Sequence, residues 1–590
     1  MGGSVVALGP AVGAEVGPRT AVVTIEAMKM EHVVRAEVSG VLESLGVAVG
    51  DTVTPGQLLA TVREGAPAPA GEDAASDGDA PAERADLAHL HARQALIRDE
   101  ARPEAMARRH ATGHLSAREQ VAALLDPGTF VEYGSFPVAA QRSRRELDDL
   151  IATTPADGLI TGVGRIDGRD CVVLAYDYTV LAGTQGYYNH HKTDRILEVA
   201  HDRGRPVVLF GEGGGGRPGD TDTADLVVAG LNLGTFAAIA RLSGQVPTIG
   251  VLTGRAFAGN AALLGCCDVL IATADAHLAM AGPAMVEGGG LGSFGAHEIG
   301  PMDVHAASGV VDLVVETDGD AIAAAREVLG LLGRTDLDWT AADQERLREA
   351  VDQNRKRIYD VRAIVATVAD EGSVLELRRA AAPGAITALI RVEGRAYGVI
   401  ANDPAHLGGA IDGDAADSFA RFLRLCDAHG LPVISFCDTP GFMVGPDAER
   451  TATVRRFARL FVAGAHLSVP TLTVVLRKAY GLGAMAMSRG GFFETTATIA
   501  WPTGEFGAMG LEGAVRLGYA RELSAIADDT ARRRRFEELL AAHHEAGTAI
   551  NAAMKHEIDE VIDPVDTRRW ITTTLGSWTG EGSHRPVDPW

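Results

Sequence analysis

The chain has 590 residues, 54 Lys and Arg against 78 Asp and Glu, and hence a formal charge of −24. That length exceeds one ordinary core, so three or more domains are expected, and an apolar content of 46% with 22% charged residues excludes a disordered chain. The acidic balance excludes a nucleic-acid backbone as partner, and Gly, Arg or Asp interrupts every apolar run short of a membrane span.

The opening residues MGGSVVALGP carry no basic stretch, so no secretory leader is read here. The first 64 residues contain an internal repeat. VGAEVGPRTAVVTI at 12–25 aligns without a gap to VGDTVTPGQLLATV at 49–62, an offset of 37. Short β-branched runs between Gly and Pro turns predict strands, and two equal halves predict a small β-sandwich with pseudo-twofold symmetry. EAMKMEH lies between the halves. The flanks VVTI and HVVRAEV read as strands, so Lys29 sits at a hairpin tip between Met28 and Met30. The chain has only five lysines, at 29, 192, 356, 478 and 555. An exposed apolar pair around one of them suits recognition by a modifying enzyme, and an acylated Lys29 would make the module a carrier arm.

Residues 65–83, GAPAPAGEDAASDGDAPAE, read as a mobile linker. Residues 84–126 read as helical and Arg-rich. A larger duplication follows. GRPVVLFGEGGGGRPG at 204–219 matches GLPVISFCDTPGFMVG at 430–445, an offset of 226; VPTIGVLTGRAFAGNA at 246–261 matches VPTLTVVLRKAYGLGA at 469–484, an offset of 223. The remainder is therefore two related halves, taken as 84–345 and 346–590. In each, an apolar strand enters a small-residue loop and then a helix, twice over, which predicts α/β units on a largely parallel sheet. Ligands of such sheets bind where these loops lie.

The loops at Gly213–Arg217, Phe257–Ala261, Thr439–Met443 and Tyr480–Ala484 hold few groups able to take a proton. What they offer is backbone N–H. Two loops per half can converge on one oxygen as an oxyanion hole, and two holes suit a reaction joining two oxyanionic species. No GxxxxGK[ST], HExxH or GxSxG is present, and the match of Gly211–Gly216 to GxGxxG is discounted because RPGDTD stands where a helix should begin. Five cysteines (171, 266, 267, 426, 437) form no CxxC, so no metal site is expected and reduced cytoplasmic thiols are. His190–His191 and Cys266–Cys267 read as surface and core pairs.

At EAMKMEH the chain resembles the biotinyl carrier domains of biotin-dependent carboxylases. Residues 84–590 resemble the carboxyltransferase β-subunits of acyl-CoA carboxylases, through LSAREQVAALLDPGTFVE, GGGGR, IANDP, DTPGFMVG, VPTLTVVLRKAYGLGAMAM and AWPTGEFGAMGLEGAV. The resemblance implies an all-β biotinyl domain followed by two crotonase-like α/β halves. It implies biotin covalently held on Lys29, a coenzyme A thioester as substrate, and CO2 transfer to the α carbon of an acetyl, propionyl or longer acyl-CoA. It places Gly215 and Gly216 as the N-half pair that stabilises the thioester enolate, and Leu482 and Gly483 as the C-half pair facing the biotin oxygen, beside Tyr480 and Gly481. Gly259 and Asn260 are the N-half duplicates of that second pair. Arg217 and Met485 fall at the substrate pocket.

Three departures stand out. GGGGR replaces the family's usual SGGAR, Leu482 replaces a glycine, and apolar Met485 falls where acyl selectivity is tuned, which disfavours a charged acyl tail. No region resembling a biotin carboxylase is present, so the use of ATP and bicarbonate is assigned to a separate biotin carboxylase subunit. The further partners implied are a biotin protein ligase and copies of this chain, as dimers packed into hexamers, with no nucleic acid or membrane. Two other readings remain open: an ATP-independent transcarboxylase or biotin-dependent decarboxylase, and a non-catalytic carrier or assembly subunit.

Overall fold

The computed structural model describes residues 2–65, 84–223, 230–333 and 338–589. The linker read at 65–83 lies outside them from residue 66 onward. The chain divides into two compact units, Met1–Ala88 and His89–Trp590.

In the first unit, two small sheets face one core. One has the order Met30–Arg35, Ala21–Ala27, Gly3–Leu8, Thr52–Val53; the other runs Glu15–Val16, Gly40–Leu45, Ala60–Glu64. The offset of 37 is visible in three dimensions. Glu15–Val16 and Thr52–Val53 are equivalent strands in opposite sheets, and Val16 and Val53 bury side by side with Val5, Val23 and Leu42 in the core. Each such aliphatic side chain contributes roughly 1.5–3 kcal/mol on burial, which a module this small requires. The strands Ala21–Ala27 and Met30–Arg35 pair with Ala27 opposite Met30, so the connection is two residues long. Met28 and Lys29 both adopt positive φ, 53° and 66°. That is the primed hairpin turn matching strand twist, built here without glycine.

The second unit holds two sheets built to one plan. The first has seven strands in the order Leu313–Val315, Val269–Thr273, Thr248–Leu252, Val207–Phe210, Arg169–Tyr176, Leu159–Ile166, Val131–Tyr133. The second has the path Leu375–Leu377, Ala385–Val392, Arg395–Asn402, Val433–Thr439, Thr471–Tyr480, Ala497–Ala500, Glu560–Val561, with Glu505–Gly507 on Thr471–Tyr480. Leu159–Ile166, Arg169–Tyr176 and Val207–Phe210 begin 226 residues before Ala385–Val392, Arg395–Asn402 and Val433–Thr439. Even strained backbone repeats. Leu181, Ala182 and Gly183 have φ of 48°, 55° and 63°; Leu407, Gly408 and Gly409 have 48°, 65° and 86°.

Each sheet also has an antiparallel edge that alternating strand–helix reading did not find. The pair Leu159–Ile166 and Arg169–Tyr176 turns at Asp167–Gly168, and its duplicate turns at Glu393–Gly394, all four residues at positive φ. Beyond these edges the strands are parallel, and their carboxyl ends present the small-residue loops. No helix among the described residues is long and apolar enough to cross a membrane. All five cysteines are unpaired, four of them buried.

Candidate active site

Each half brings a strand-end loop against the chain that precedes a helix. In the first half, Gln185 donates its amide to Gly215 O at 2.7 Å and accepts from the Arg217 amide at 2.8 Å. In the second, Ile411 does the same with Gly441 O at 3.0 Å and the Met443 amide at 2.8 Å. The residues left between, Gly216 and Phe442, are 226 apart, and the amide of each has no acceptor among the described residues.

The amide one residue earlier is spent in both halves. Gly215, at φ +86°, donates to Asn260 Oδ1 at 2.9 Å. Gly441, at φ +120°, donates to Thr439 Oγ1 at 3.1 Å. The pair expected at Gly215–Gly216 is thus divided: Gly216 keeps a free donor and Gly215 does not.

The helices Gly259–Gly265 and Gly481–Met487 begin beside these loops, and their first-turn amides fall outside their own ladders. A Cβ built on Gly215 would lie 3.7 Å from the Gly259 nitrogen, so the two loops touch. Ala258 precedes that helix at φ 49°, ψ −117°, a conformation alanine holds at a cost of about 1–3 kcal/mol. Its duplicate is Gly481, at φ +56°. A Cβ on Gly483 would meet Gly441 Cα at 2.7 Å and the Phe442 nitrogen at 3.2 Å, so Gly483 is where the second pair of loops closes. Leu482 is 61% exposed and Met485 39% exposed on the outward side of their helix.

Three residues expected to touch ligand instead brace these loops. Asn260 is fully buried, and besides holding Gly215 its Nδ2 donates to Gly183 O at 3.3 Å. Arg217 is buried, with its guanidinium committed to Asp157 and to Thr184 O at 2.7 Å. Tyr480 is buried and its hydroxyl donates to Glu505 Oε2 at 2.8 Å; burial, then the neighbouring Glu505 carboxylate, pushes the phenol well above its ordinary range. The titratable residues of the four loops are Arg217 and Tyr480, both held by buried carboxylates, so the loops supply amides and no base. Behind them Asp438 ties the two strand ends, accepting from Tyr359 Oη at 2.7 Å and pairing with Lys478 Nζ at 2.7 Å.

Sequence reading placed Phe442, Thr439 and Ala258 within the loops but singled out none of them. The offset of 226 carries Gly216 onto Phe442 and was the available signal; the bulk of phenylalanine hid it, although only its amide is in question. Its ring stacks on Phe457, centroids 4.1 Å apart, while the bonds of Ile411 to Gly441 and Met443 hold the backbone on either side.

At the other candidate position, Lys29 is exposed on its two-residue tip, flanked by Met28 at 97% and Met30 at 66% exposure. An accessible amine on a rigid turn fits an amide-linked prosthetic group. Among the described residues no cluster of His, Cys, Asp or Glu could hold a metal.

Comparison with known proteins places both sites in a family context. Residues 108–581 match the carboxyl transferase domain, and residues 1–62 match the domain of biotin-requiring enzymes. The 12S subunit of methylmalonyl-CoA carboxyltransferase from Propionibacterium freudenreichii subsp. shermanii is 33% identical over 81% of this chain and 91% of that protein. A solved structure of a transcarboxylase 12S hexamer, with methylmalonyl-coenzyme A bound, superposes with a TM-score of 0.75 at 31% identity, over 87% of this chain and 99% of that one. The structure of a single-chain, multi-domain long-chain acyl-CoA carboxylase superposes with a TM-score of 0.80 at 49% identity; it covers 97% of this chain, which spans 55% of that one.

Proposed function

The chain belongs to the carboxyl transferase family and carries a biotin-requiring domain ahead of the transferase, and from that premise we propose that it is the carrier and carboxyltransferase part of an acyl-CoA carboxylase. The reaction moves CO2 from a carrier on Lys29 to the α carbon of an acyl-CoA. The observation that carries this reading is the pair of unspent amides at Gly216 and Phe442, one per half at duplicated positions.

Biotin bound to Lys29 supplies the carried CO2 and the nitrogen that takes the α-proton. The chain's own residues do the rest. The Gly216 and Gly259 amides donate to the thioester oxygen, where charge grows as the α-proton leaves. The Phe442 and Leu482 amides donate to the oxygen of the group brought by Lys29. A donor aimed at developing charge is worth roughly 3 kcal/mol. Leu482 contributes an amide as well as a glycine does, and its exposed side chain shapes the pocket mouth. Met485 beside it is apolar and flexible, which suits an acyl tail without charge.

A separate biotin carboxylase activity, using ATP and bicarbonate, loads the carrier, and a biotin protein ligase modifies Lys29. The working form is a homo-oligomer, a hexamer as in the transcarboxylase 12S structure, acting in the cytoplasm. The greater likeness to the long-chain carboxylase than to the 12S subunit, 49% against 33% identity, favours the carboxylase over an ATP-independent transcarboxylase. Loading with ATP, bicarbonate and a biotin carboxylase tests this choice: carboxylated acyl-CoA supports it, and transfer only from another carboxyacyl-CoA replaces it with the transcarboxylase.

A further inference from the structure

The short strand Glu505–Gly507 lies parallel to the end of the strand that feeds the helix Gly481–Met487, with Lys478 opposite Glu505 and Tyr480 opposite Gly507. The first half repeats this arrangement: Arg255–Phe257 runs parallel to His277–Ala279, with Arg255 opposite His277 and Phe257 opposite Ala279. The two backbones correspond residue for residue, so their side chains can be compared directly. Phe257 stands where the second half has Tyr480, and His277 stands where it has Glu505. A phenol bonded to a carboxylate is therefore an addition made in the second half.

Glu505 is 5% exposed, and its carboxylate is met from three sides. The Tyr480 hydroxyl donates to Oε2 at 2.8 Å, Arg355 Nε lies 2.8 Å from Oε1, and His544 Nδ1 lies 3.7 Å from Oε2. The next residue is fastened as well, the Phe506 amide donating to Gly547 O at 2.7 Å. A buried carboxylate is costly unless it is paired and hydrogen-bonded; here Arg355 supplies the charge and Tyr480 the bond. Because burial and the carboxylate together keep the phenol protonated, the bond keeps its direction.

What the bond holds is the start of a helix. Tyr480 is its N-cap residue, and no side chain caps the helix. Gly481 follows at φ +56°, a turn about which glycine leaves the chain free to rotate. The Leu482 side chain is largely exposed and gives little hold. In the first half the same place is fixed by Asn260, which is fully buried and bonded to the Gly215 amide and to Gly183 O. The offset of 223 puts Gly483 at that position, so the second half has no carboxamide there. Tyr480, on the other side of Gly481, is its remaining polar anchor.

We propose that Glu505 is a positioning residue for the second half: through Tyr480 it holds the start of the helix Gly481–Met487, and with it the Leu482 amide, in place of the carboxamide that Asn260 supplies in the first half. The inference rests on the reading that the second half receives the oxygen of the group carried on Lys29. It is tested on the full biotinylated chain, loaded with ATP, bicarbonate and a biotin carboxylase. Tyr480→Phe copies Phe257 and deletes only the hydroxyl; Glu505→Ala deletes the acceptor; Glu505→Gln keeps an accepting oxygen. In the first two, loss of CO2 from the loaded carrier without acyl-CoA should slow about tenfold or more, while acyl-CoA affinity by calorimetry stays as in the parent. Glu505→Gln should remain within about threefold of the parent. Hydrogen exchange across Gly481–Met487 should quicken in the first two variants and not in the third. Should Glu505→Ala fail to fold, Tyr480→Phe decides. Parent-like CO2 loss in Tyr480→Phe overturns the assignment, and so does an equal fall in acyl-CoA affinity, which would mark a general loosening. A parent that loses no CO2, with exchange still quickened in Tyr480→Phe, upholds the positioning and refutes the carrier reading; normal CO2 loss in parent and variants alike does the reverse.

Discussion

The side-chain oxygen of Asn260 lies 2.9 Å from the amide nitrogen of Gly215, and that contact decides which donor of the glycine-rich loop remains available. With Gly215 occupied, the free N–H passes to Gly216, the next residue of a loop whose Gly215 lies against the start of the helix Gly259–Gly265. Thr439 performs the same service for Gly441 in the second half, through a hydroxyl instead of a carboxamide.

Asn260→Ala should therefore act on stability and rate together. It leaves the buried Gly215 amide without a partner, at a cost of about 1–3 kcal/mol, measurable by urea denaturation. It also lets the Gly215–Gly216 peptide turn, so exchange of the acyl-CoA α-proton should slow by tenfold or more. Thr439→Val should lower stability similarly and slow loss of CO2 from the loaded carrier in the absence of acyl-CoA, a step that Asn260→Ala leaves alone because it acts on the other half. Equal effects of both on that step would contradict the division of labour.

Gly216→Pro and Phe442→Pro each delete one free amide. A lost oxyanion donor lowers kcat by roughly 10²–10³. Both variants should lose overall transfer and biotin-dependent α-proton exchange on that scale. Full turnover by Phe442→Pro would remove phenylalanine 442 from the site; circular dichroism and oligomer size confirm that each variant is folded.

The ion pair between Arg217 and Asp157 is buried on both sides. Breaking such a pair on one side leaves an uncompensated charge, typically costing 3–5 kcal/mol. Asp157→Asn should lower unfolding stability on that scale, and the double change Asp157→Asn, Arg217→Met should recover part of it. Were Arg217 a substrate ligand instead, Asp157→Asn would alter KM while leaving stability near the parent's.

Lys192 gives a pH signature. Its Nζ is buried and donates to Ala156 O at 2.7 Å and to Leu159 O; burial pulls the ammonium down to about 7. The unfolded chain, with an ordinary lysine near 10.4, binds more protons between pH 7 and 10, so this group makes stability rise with pH across that window. Below pH 7 both states are protonated and the burial penalty is fully present. Stability curves for the parent and Lys192→Met should therefore converge from neutral to alkaline pH, with the parent gaining. Parallel curves would show that the lysine stays charged throughout.

Much of this was legible in the sequence, for identifiable reasons. The two duplications survive as aligned residues because strand, loop and helix repeat at fixed spacing, and Val16 and Val53, or Gly216 and Phe442, can be paired by counting. Lys29 was legible because Met28 and Met30 are hard to justify on a surface otherwise. The antiparallel edges were missed, although Ile166-Asp167-Gly168-Arg169 and Val392-Glu393-Gly394-Arg395 each carry a two-residue turn between apolar runs. What could not be read was which amides are free. That depends on where the Asn260 carboxamide and the Thr439 hydroxyl reach, a matter of rotamers and packing across more than forty residues in one half and two in the other. The fates of Arg217 and Tyr480 were hidden for the same reason, since Asp157 and Glu505 are distant or unremarkable in sequence.

The central claim is transfer by this chain between a carrier on Lys29 and a coenzyme A thioester. The most direct measurement is the reverse half-reaction on the biotinylated chain alone: release of acyl-CoA from malonyl-, methylmalonyl- and longer carboxyacyl-CoAs, with Lys29→Ala alongside and free biotin added to it. The account predicts release that depends on Lys29, partly restored by free biotin, and fastest with an uncharged acyl tail. No release from any of these thioesters by a folded, biotinylated oligomer would contradict it.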